Sequence, residues 1–236
     1  MSGPDEDRVD REVDEKQPVD DESKDATPDS YGADSDDRAA TSGEQEDGWR
    51  LFARDIAVSA VAVLLLGAYL FAISGVWPPL VAIESGSMEP NMEVNDLVFV
   101  MNTDRFQPAE STGDTGIVTA ADGADEYTQF GDSGDVVVFA PNGDEERTPV
   151  IHRVMFWVEE GENWCESEHA DTAHLGSLGA NDPQCEAPHD GFITKGDDNP
   201  TYDQTGNSIS EPVKAEWVIG TAELRIPGVG WFRLRV

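Results

Sequence analysis

Four side chains of this chain could do chemistry together: a serine in a glycine-containing turn, a histidine in an apolar strand, and two aspartates in a polar loop. They are Ser87, within Ser85–Pro90, followed by His152, Asp197 and Asp203. A serine hydroxyl becomes a nucleophile when an imidazole accepts its proton, and a carboxylate beside the imidazole fixes its tautomer and stabilises the imidazolium. These residue types therefore predict serine-dependent hydrolysis.

Each of these residues also has a non-catalytic interpretation. Ser-Gly-Ser occurs in plain turns, and a lone histidine on an apolar face is more often a hydrogen-bonded core residue. The acidic loop Lys195–Asp203 could be a solvated turn or a calcium loop, although its oxygen spacing does not match an EF-hand. In the candidate strand Val150–Val158, strict alternation predicts one shared face for Val150, His152, Val154 and Phe156.

The pattern of residues 78–236 predicts a β-rich domain that would position these side chains. Segments 103–133 and 159–190 are predicted excursions from it. The expected fold class is mainly β: a single N-terminal transmembrane helix followed by a compact antiparallel β domain, with its site on loops and strand ends. Five apolar or β-branched runs between turn residues are the predicted strands: Asp96–Met101, Val136–Phe139, Val150–Val158, Phe192–Thr194 and Trp217–Leu224.

One segment of the chain could span a membrane. Ile56–Val76 has 21 residues without a charge, and as a helix it would be about 30 Å long, which matches a hydrocarbon core. Residues 49–77 are therefore predicted to form a transmembrane helix with its flanks, stopped by the two prolines that follow. A cleaved secretory signal fits less well, because the preceding leader is long and acidic.

The charges beside this segment predict its orientation. Arg50 and Arg54 precede it, whereas Pro78–Asp104 contains no basic residue. Basic residues favour the cytoplasmic side, so the N-terminus is expected in the cytoplasm and residues 78–236 outside.

The chain is strongly acidic. It has 49 acidic and 15 basic residues, a net charge of −34, which argues against nucleic acid as a partner because phosphates would be repelled. Residues 1–48 carry 18 of the acidic and five of the basic side chains, and this segment is predicted to be a disordered tail. The remaining 188 residues are acidic too, and the whole chain has only four lysines. This excess predicts adaptation to high salt; the alternative is an ordinary acidic protein.

The excursion at 159–190 holds both cysteines of the chain, together with three of its four histidines. Outside the cell, Cys165 and Cys185 most simply form one disulfide. A zinc site with His169, His174 or His189 is an alternative, although the spacing matches no familiar zinc pattern. Free thiols are the third possibility.

Four stretches, in order after the membrane span, resemble the motifs of signal peptidase I. The match is to its archaeal and endoplasmic-reticulum branch, which has histidine where the bacterial enzymes use a lysine base, and the acidic composition points to a halophilic archaeon. Asp198 stands where that branch usually has asparagine. The resemblance covers roughly Ile56–Val236 and rests on Ser85–Pro90, Gly134–Phe139, His152–Val154 and Lys195–Asp203.

The resemblance implies a role for each residue of the predicted site. Ser87 matches the nucleophile and His152 the general base. Ser85 matches the serine whose hydroxyl supports the oxyanion hole, alongside the Ser87 backbone N–H. Asp203 matches the histidine partner, with Asp197 as the alternative. The family needs no cofactor or metal.

The resemblance also implies a substrate and a location. The expected substrates are preproteins with signal peptides and small residues at −1 and −3, cleaved at the lipid bilayer with the protein-export machinery nearby. Two alternatives stay open: a related serine-dependent processing protease with another substrate, and a non-catalytic, membrane-tethered β domain for binding or scaffolding.

Overall fold

The computed structural model describes residues 41–105, 107–123 and 126–232. The chain divides into two units between Arg54 and Asp55, and the sheet and the candidate site both belong to the second. Most of the predicted tail, residues 1–40, lies outside the described residues.

The first element is a long apolar helix, α1, from Thr41 to Ser74. Its part Gly48–Ser74 is long and apolar enough to cross a membrane, and its apolar side chains are exposed. The helix begins seven residues before the predicted tail ends. Extending a helix that is already formed costs little, because nucleation is the expensive step.

Glycine, rather than proline, ends this helix. Gly75 has a φ of +75°, and its N–H donates to the Phe71 carbonyl at 2.8 Å, which is the left-handed cap typical of helix C-termini. The prediction that the helix runs to Val76 and stops at the prolines is therefore wrong by two residues.

The domain is built on a six-stranded antiparallel sheet with strand order β1-β2-β8-β5-β6-β7. All five predicted strands are present within a few residues of their predicted bounds, and β1 is an additional short edge strand. The strands are β1 (Leu80–Ala82), β2 (Leu97–Met101), β5 (Val136–Phe139), β6 (Val150–Val158), β7 (Gly191–Lys195) and β8 (Val218–Ile226). This architecture confirms the predicted mainly β fold class.

The excursion at 103–133 contains regular structure. It forms a short helix and a two-stranded hairpin, and its Ile117 and Val118 are fully buried, so this segment contributes to the core. The elements are α2 (Ala120–Gly123), β3 (Thr128–Gln129) and β4 (Asp132–Ser133).

Strand β6 does not keep the single apolar face that alternation predicts. The register shifts between Val154 and Phe156, as an inserted residue in a bulge does. Val154 consequently packs with Phe139, whereas Phe156 packs with Trp164 in a separate cluster. The prediction of one shared face is wrong beyond Val154.

Candidate active site

Ser87 lies in a tight turn whose neighbouring residue is anchored in the core. A 3-10 turn, Gly86–Met88, lies between β1 and β2, and Met88 is fully buried in a cluster with Ile83 and Val98. Ser87 itself is half-buried. The buried methionine holds the turn, so the adjacent serine has a defined position while its hydroxyl remains reachable.

His152 bonds to both other members of the predicted triad. It lies in β6 opposite Val137 of β5, and its side chain is only 4% exposed. Its Nε2 is 3.0 Å from Ser87 Oγ, and its Nδ1 is 2.6 Å from Asp203 Oδ2. With the proton on Nδ1, the imidazole donates to the carboxylate and accepts from the serine hydroxyl, as a serine nucleophile requires.

Asp203 is held by Thr194 of β7 through two hydrogen bonds. The threonine hydroxyl donates to Asp203 Oδ2 at 2.8 Å, and the Asp203 N–H donates to the Thr194 carbonyl at 2.9 Å. Gln204 donates in turn to the threonine hydroxyl at 3.3 Å. Sequence reasoning missed Thr194, whose only signal was its place at the end of a predicted strand before the acidic loop.

Asp197, the alternative partner of the histidine, is bonded elsewhere. Its two carboxylate oxygens accept from Nε and Nη2 of Arg153, both at 2.8 Å, and Asn91 donates to it at 2.8 Å. Both members of the ion pair are more than nine-tenths buried. The structure thus brings Asp203, and not Asp197, to His152.

Arg153 connects the acidic loop to the β3–β4 hairpin. Its Nη1 donates to the carbonyls of Gln129 at 2.8 Å, Asp132 at 3.2 Å and Gly134 at 2.9 Å. The bidentate pair and these carbonyls satisfy a guanidinium that would be costly to bury alone. Sequence reasoning included this arginine in a motif but assigned it no role.

The acidic loop also contacts the backbone of the serine. Asp198 donates its N–H to the Ser87 carbonyl at 2.9 Å. A Cβ added at Gly196 would lie 2.6 Å from the same carbonyl, so only glycine permits this close approach. Buried Lys195 folds over the loop, its Nζ 2.9 Å from the Gly196 carbonyl and 3.0 Å from that of Asn199.

Ser85 lies beside the candidate nucleophile. Its Oγ is 3.2 Å from Ser87 Oγ, and the residue is exposed. A hydroxyl at this distance can donate to the oxygen of Ser87, leaving the Ser87 proton directed at His152.

Asp135, which precedes β5, is a buried carboxyl near the site. Burial raises its pKa to about 6, although the hydrogen bonds from Tyr127 and Val118 and the charge of Arg153 lower it, while Glu223 raises it. Burial and the hydrogen bond to Asp135 also raise the pKa of Tyr127 well above its ordinary range. The tyrosine hydroxyl donates to Asp135 Oδ1 at 2.6 Å, which fastens the excursion at 103–133 to the sheet.

Cys165 and Cys185 form a disulfide that spans 20 residues of the second excursion. This pairing selects one of the three sequence-based alternatives and removes both thiolates as zinc ligands. Within the described residues, no group of three or more His, Cys, Asp and Glu side chains could hold a metal ion. The Nδ1–H groups of His174 and His189 instead donate to the carbonyls of Pro200 and Asp190.

Comparison with known proteins gives one informative similarity. No family model matches the chain. The chain is similar to the signal peptidase complex catalytic subunit SEC11 of Komagataella phaffii, with 25% identity over 183 residues. The alignment covers 75% of this chain and 80% of that protein, so the similarity extends well beyond a local motif.

Proposed function

We propose that this protein is a membrane-anchored serine endopeptidase that removes signal peptides from exported preproteins. The observation that carries the proposal is the hydrogen-bonded series from Ser87 through His152 to Asp203. The similarity to a signal peptidase catalytic subunit and the apolar helix before the domain support the same function.

In the proposed mechanism, Ser87 attacks the carbonyl carbon of the scissile peptide bond while its proton passes to Nε2 of His152. Asp203 stabilises the imidazolium that forms. The serine backbone N–H and the Ser85 hydroxyl donate to the oxyanion. The imidazolium then protonates the departing amine, leaving an acyl-enzyme on Ser87. Water, activated by the neutral imidazole, hydrolyses this ester and regenerates the serine.

The place of β1 supports binding of an extended substrate. This strand lies at the edge of the six-stranded sheet and leads within three residues to Ser85. A segment that adds to such an edge presents alternate side chains to the protein. That geometry suits a cleavage motif in which the residues at −1 and −3 are both small.

The anchor and its flanking charges support action outside the cytoplasm. Arg50 and Arg54 precede the uncharged stretch Ile56–Val76, and we propose that residues 1–48 are cytoplasmic, residues 49–77 anchor the protein, and residues 78–236 are extracytoplasmic. Protease added outside intact cells should then digest the domain and spare the N-terminal tail. Digestion of the tail alone would reverse the proposed topology.

The function is tested with the full-length protein in lipid vesicles and a preprotein that carries an Ala-x-Ala cleavage motif. Ser87→Ala and His152→Ala should each abolish cleavage, and the double variant should be no worse than either, because the two residues act as one unit. Ser177→Ala, at an exposed serine of the excursion, is the matched control and should cleave normally.

Three outcomes would contradict the proposal in different ways. Near-normal cleavage by Ser87→Ala would exclude the serine mechanism. A wild-type protein that binds the preprotein without cutting it would favour a non-catalytic binding domain. Cleavage that ignores the Ala-x-Ala motif would leave a serine protease with another substrate.

A further inference from the structure

Tyr202, the residue directly before Asp203, is embedded in the second excursion. Its ring packs edge-on against Phe156, Trp164 and His174, with centroid separations of 5.7, 6.0 and 5.6 Å. Its hydroxyl accepts the Asp171 N–H at 2.9 Å. Only 2% of the residue is exposed. Residues of the excursion and of strand β6 thus hold the side chain in one position.

The backbone of Tyr202 is held by the excursion at its N–H and by Thr205 at its carbonyl. Its N–H donates to the His174 carbonyl at 3.1 Å, and its carbonyl accepts the Thr205 N–H at 3.1 Å and the Thr205 hydroxyl at 2.8 Å. The excursion therefore holds the backbone N–H of Tyr202, one residue before Asp203, while Thr205 and Thr194 hold the peptide unit that joins Tyr202 to Asp203.

The disulfide closes the cluster that contains Tyr202. Cys165 and Cys185 are both buried members of it, together with Trp164 and Leu175. The wall around the tyrosine consists of short 3-10 turns, Trp164–Glu166, Thr172–His174 and Pro183–Cys185. Such turns have few backbone bonds of their own, so the cross-link between the first and the third limits how far they can separate.

We propose that this disulfide-closed excursion positions the catalytic carboxylate, with Tyr202 as the positioning residue that connects the two. The inference rests on the proposed function. Thr194 of β7 holds Asp203 from one side, and Tyr202 holds it from the other through the shared peptide bond. The excursion thereby affects the chemistry through Asp203.

The expected effect follows from the short contact between Asp203 and His152. Their oxygen and nitrogen are 2.6 Å apart, and a displacement of about 1 Å at a reacting group can cost about a hundredfold in rate. Loosening the cluster should therefore lower kcat. KM should stay unchanged, because neither Ser85 nor any residue of β1 belongs to the cluster.

The test uses the full-length protein in vesicles with a preprotein substrate. Tyr202→Leu should lower kcat about tenfold to a hundredfold, whereas Tyr202→Phe, which keeps the ring contacts, should lose no more than about threefold. Cys165→Ser combined with Cys185→Ser, and wild type treated with a thiol reductant, should resemble Tyr202→Leu. Phe139→Leu, in a separate buried cluster, controls for general loss of core packing and should keep its kcat.

A double-mutant cycle separates positioning from simple destabilisation. In an Asp203→Asn background, Tyr202→Leu should cost less than about twofold in kcat, because the interaction through which it acts is already lost. Additive losses, a raised KM with unchanged kcat, or no effect of Tyr202→Leu would each overturn the inference. If the cysteine variant fails to fold, the two tyrosine variants decide. Activity of Ser87→Ala would instead refute the proposed function itself.

Discussion

The backbone N–H of Asp198 donates to the Ser87 carbonyl at 2.9 Å, so the loop after β7 holds the backbone of the candidate nucleophile. The preceding residue, Asp197, is bound by Arg153, the direct neighbour of His152. Serine and histidine are 65 residues apart in sequence, yet both are tied to one loop. Asp203 bonds to His152 itself, whereas Asp197 bonds to Arg153. Asp197 and Asp203 consequently have separable tasks.

The first prediction separates those two aspartates. Asp203→Asn should reduce turnover by about 10⁴-fold, the loss seen when the carboxylate of a serine protease triad is replaced by an amide, with little change in stability. Asp197→Asn should mainly lower the free energy of unfolding, by about 3–5 kcal/mol, because it leaves a buried guanidinium uncompensated. Turnover and chemical unfolding of both variants check this. An active Asp203→Asn beside an inactive but stable Asp197→Asn would exchange the roles.

The second prediction concerns the hydroxyl of Thr194. Thr194→Val keeps the shape of the side chain but removes the hydrogen bond to Asp203, and a bond to a charged group contributes about 1.5–3 kcal/mol. We expect kcat to fall about tenfold to a hundredfold on that basis. Thr194→Ser retains the hydroxyl and should remain near wild type. Equal activity of the two variants would show that this bond has no catalytic effect.

The third prediction is a pH dependence of stability. Asp135 has its pKa raised by burial from 3.8 to about 6, so folding favours its protonated form. Its contribution is fully present below about pH 4 and is lost as the pH rises through 6. Relative to Asp135→Asn, the wild type should lose on the order of 2 kcal/mol of unfolding free energy between pH 4 and 7. Parallel stability curves for the two proteins would contradict the prediction.

The fourth prediction concerns salt. Residues 49–236 carry 31 acidic and ten basic side chains, and their mutual repulsion is screened within about 3 Å at 1 M salt but only within about 10 Å at 0.1 M. We therefore expect both the melting temperature and the activity to rise toward molar potassium chloride. Sucrose of equal osmolarity should not substitute for the salt. A stability maximum at low salt would argue for an ordinary acidic protein.

The strands of the sheet were predictable because their signals are local. Val136–Phe139 is a run of apolar, mostly β-branched residues that starts two positions after a glycine, and it forms β5 with the predicted bounds. The edge strand Leu80–Ala82 was missed, because three residues after two prolines are too short a pattern. The bulge in β6 was also missed, since it depends on the partner strand and not on the residues of β6 alone.

The site was predictable in its residues but not in its supports. Ser87, His152 and Asp203 have chemically distinctive side chains, and the structure brings them together; their catalytic roles stay a prediction. The residue types of Thr194 and Asn91 do not indicate a role in the sequence. Only the fold brings Thr194 to Asp203 and Asn91 to Asp197. The disulfide was one alternative of three, because the sequence does not reveal which side chains meet.

The C-terminal end of helix α1 is joined to the sheet by direct hydrogen bonds. The Ser74 hydroxyl donates to the Val100 carbonyl at 2.6 Å, and the Asn102 N–H donates to the Ser74 carbonyl at 2.8 Å. If the helix is the anchor, the height of Ser87 above the lipid is then set by the fold and does not vary with a flexible tether. Such a protein would select the scissile bond by its distance from the membrane surface as well as by the side chains around it.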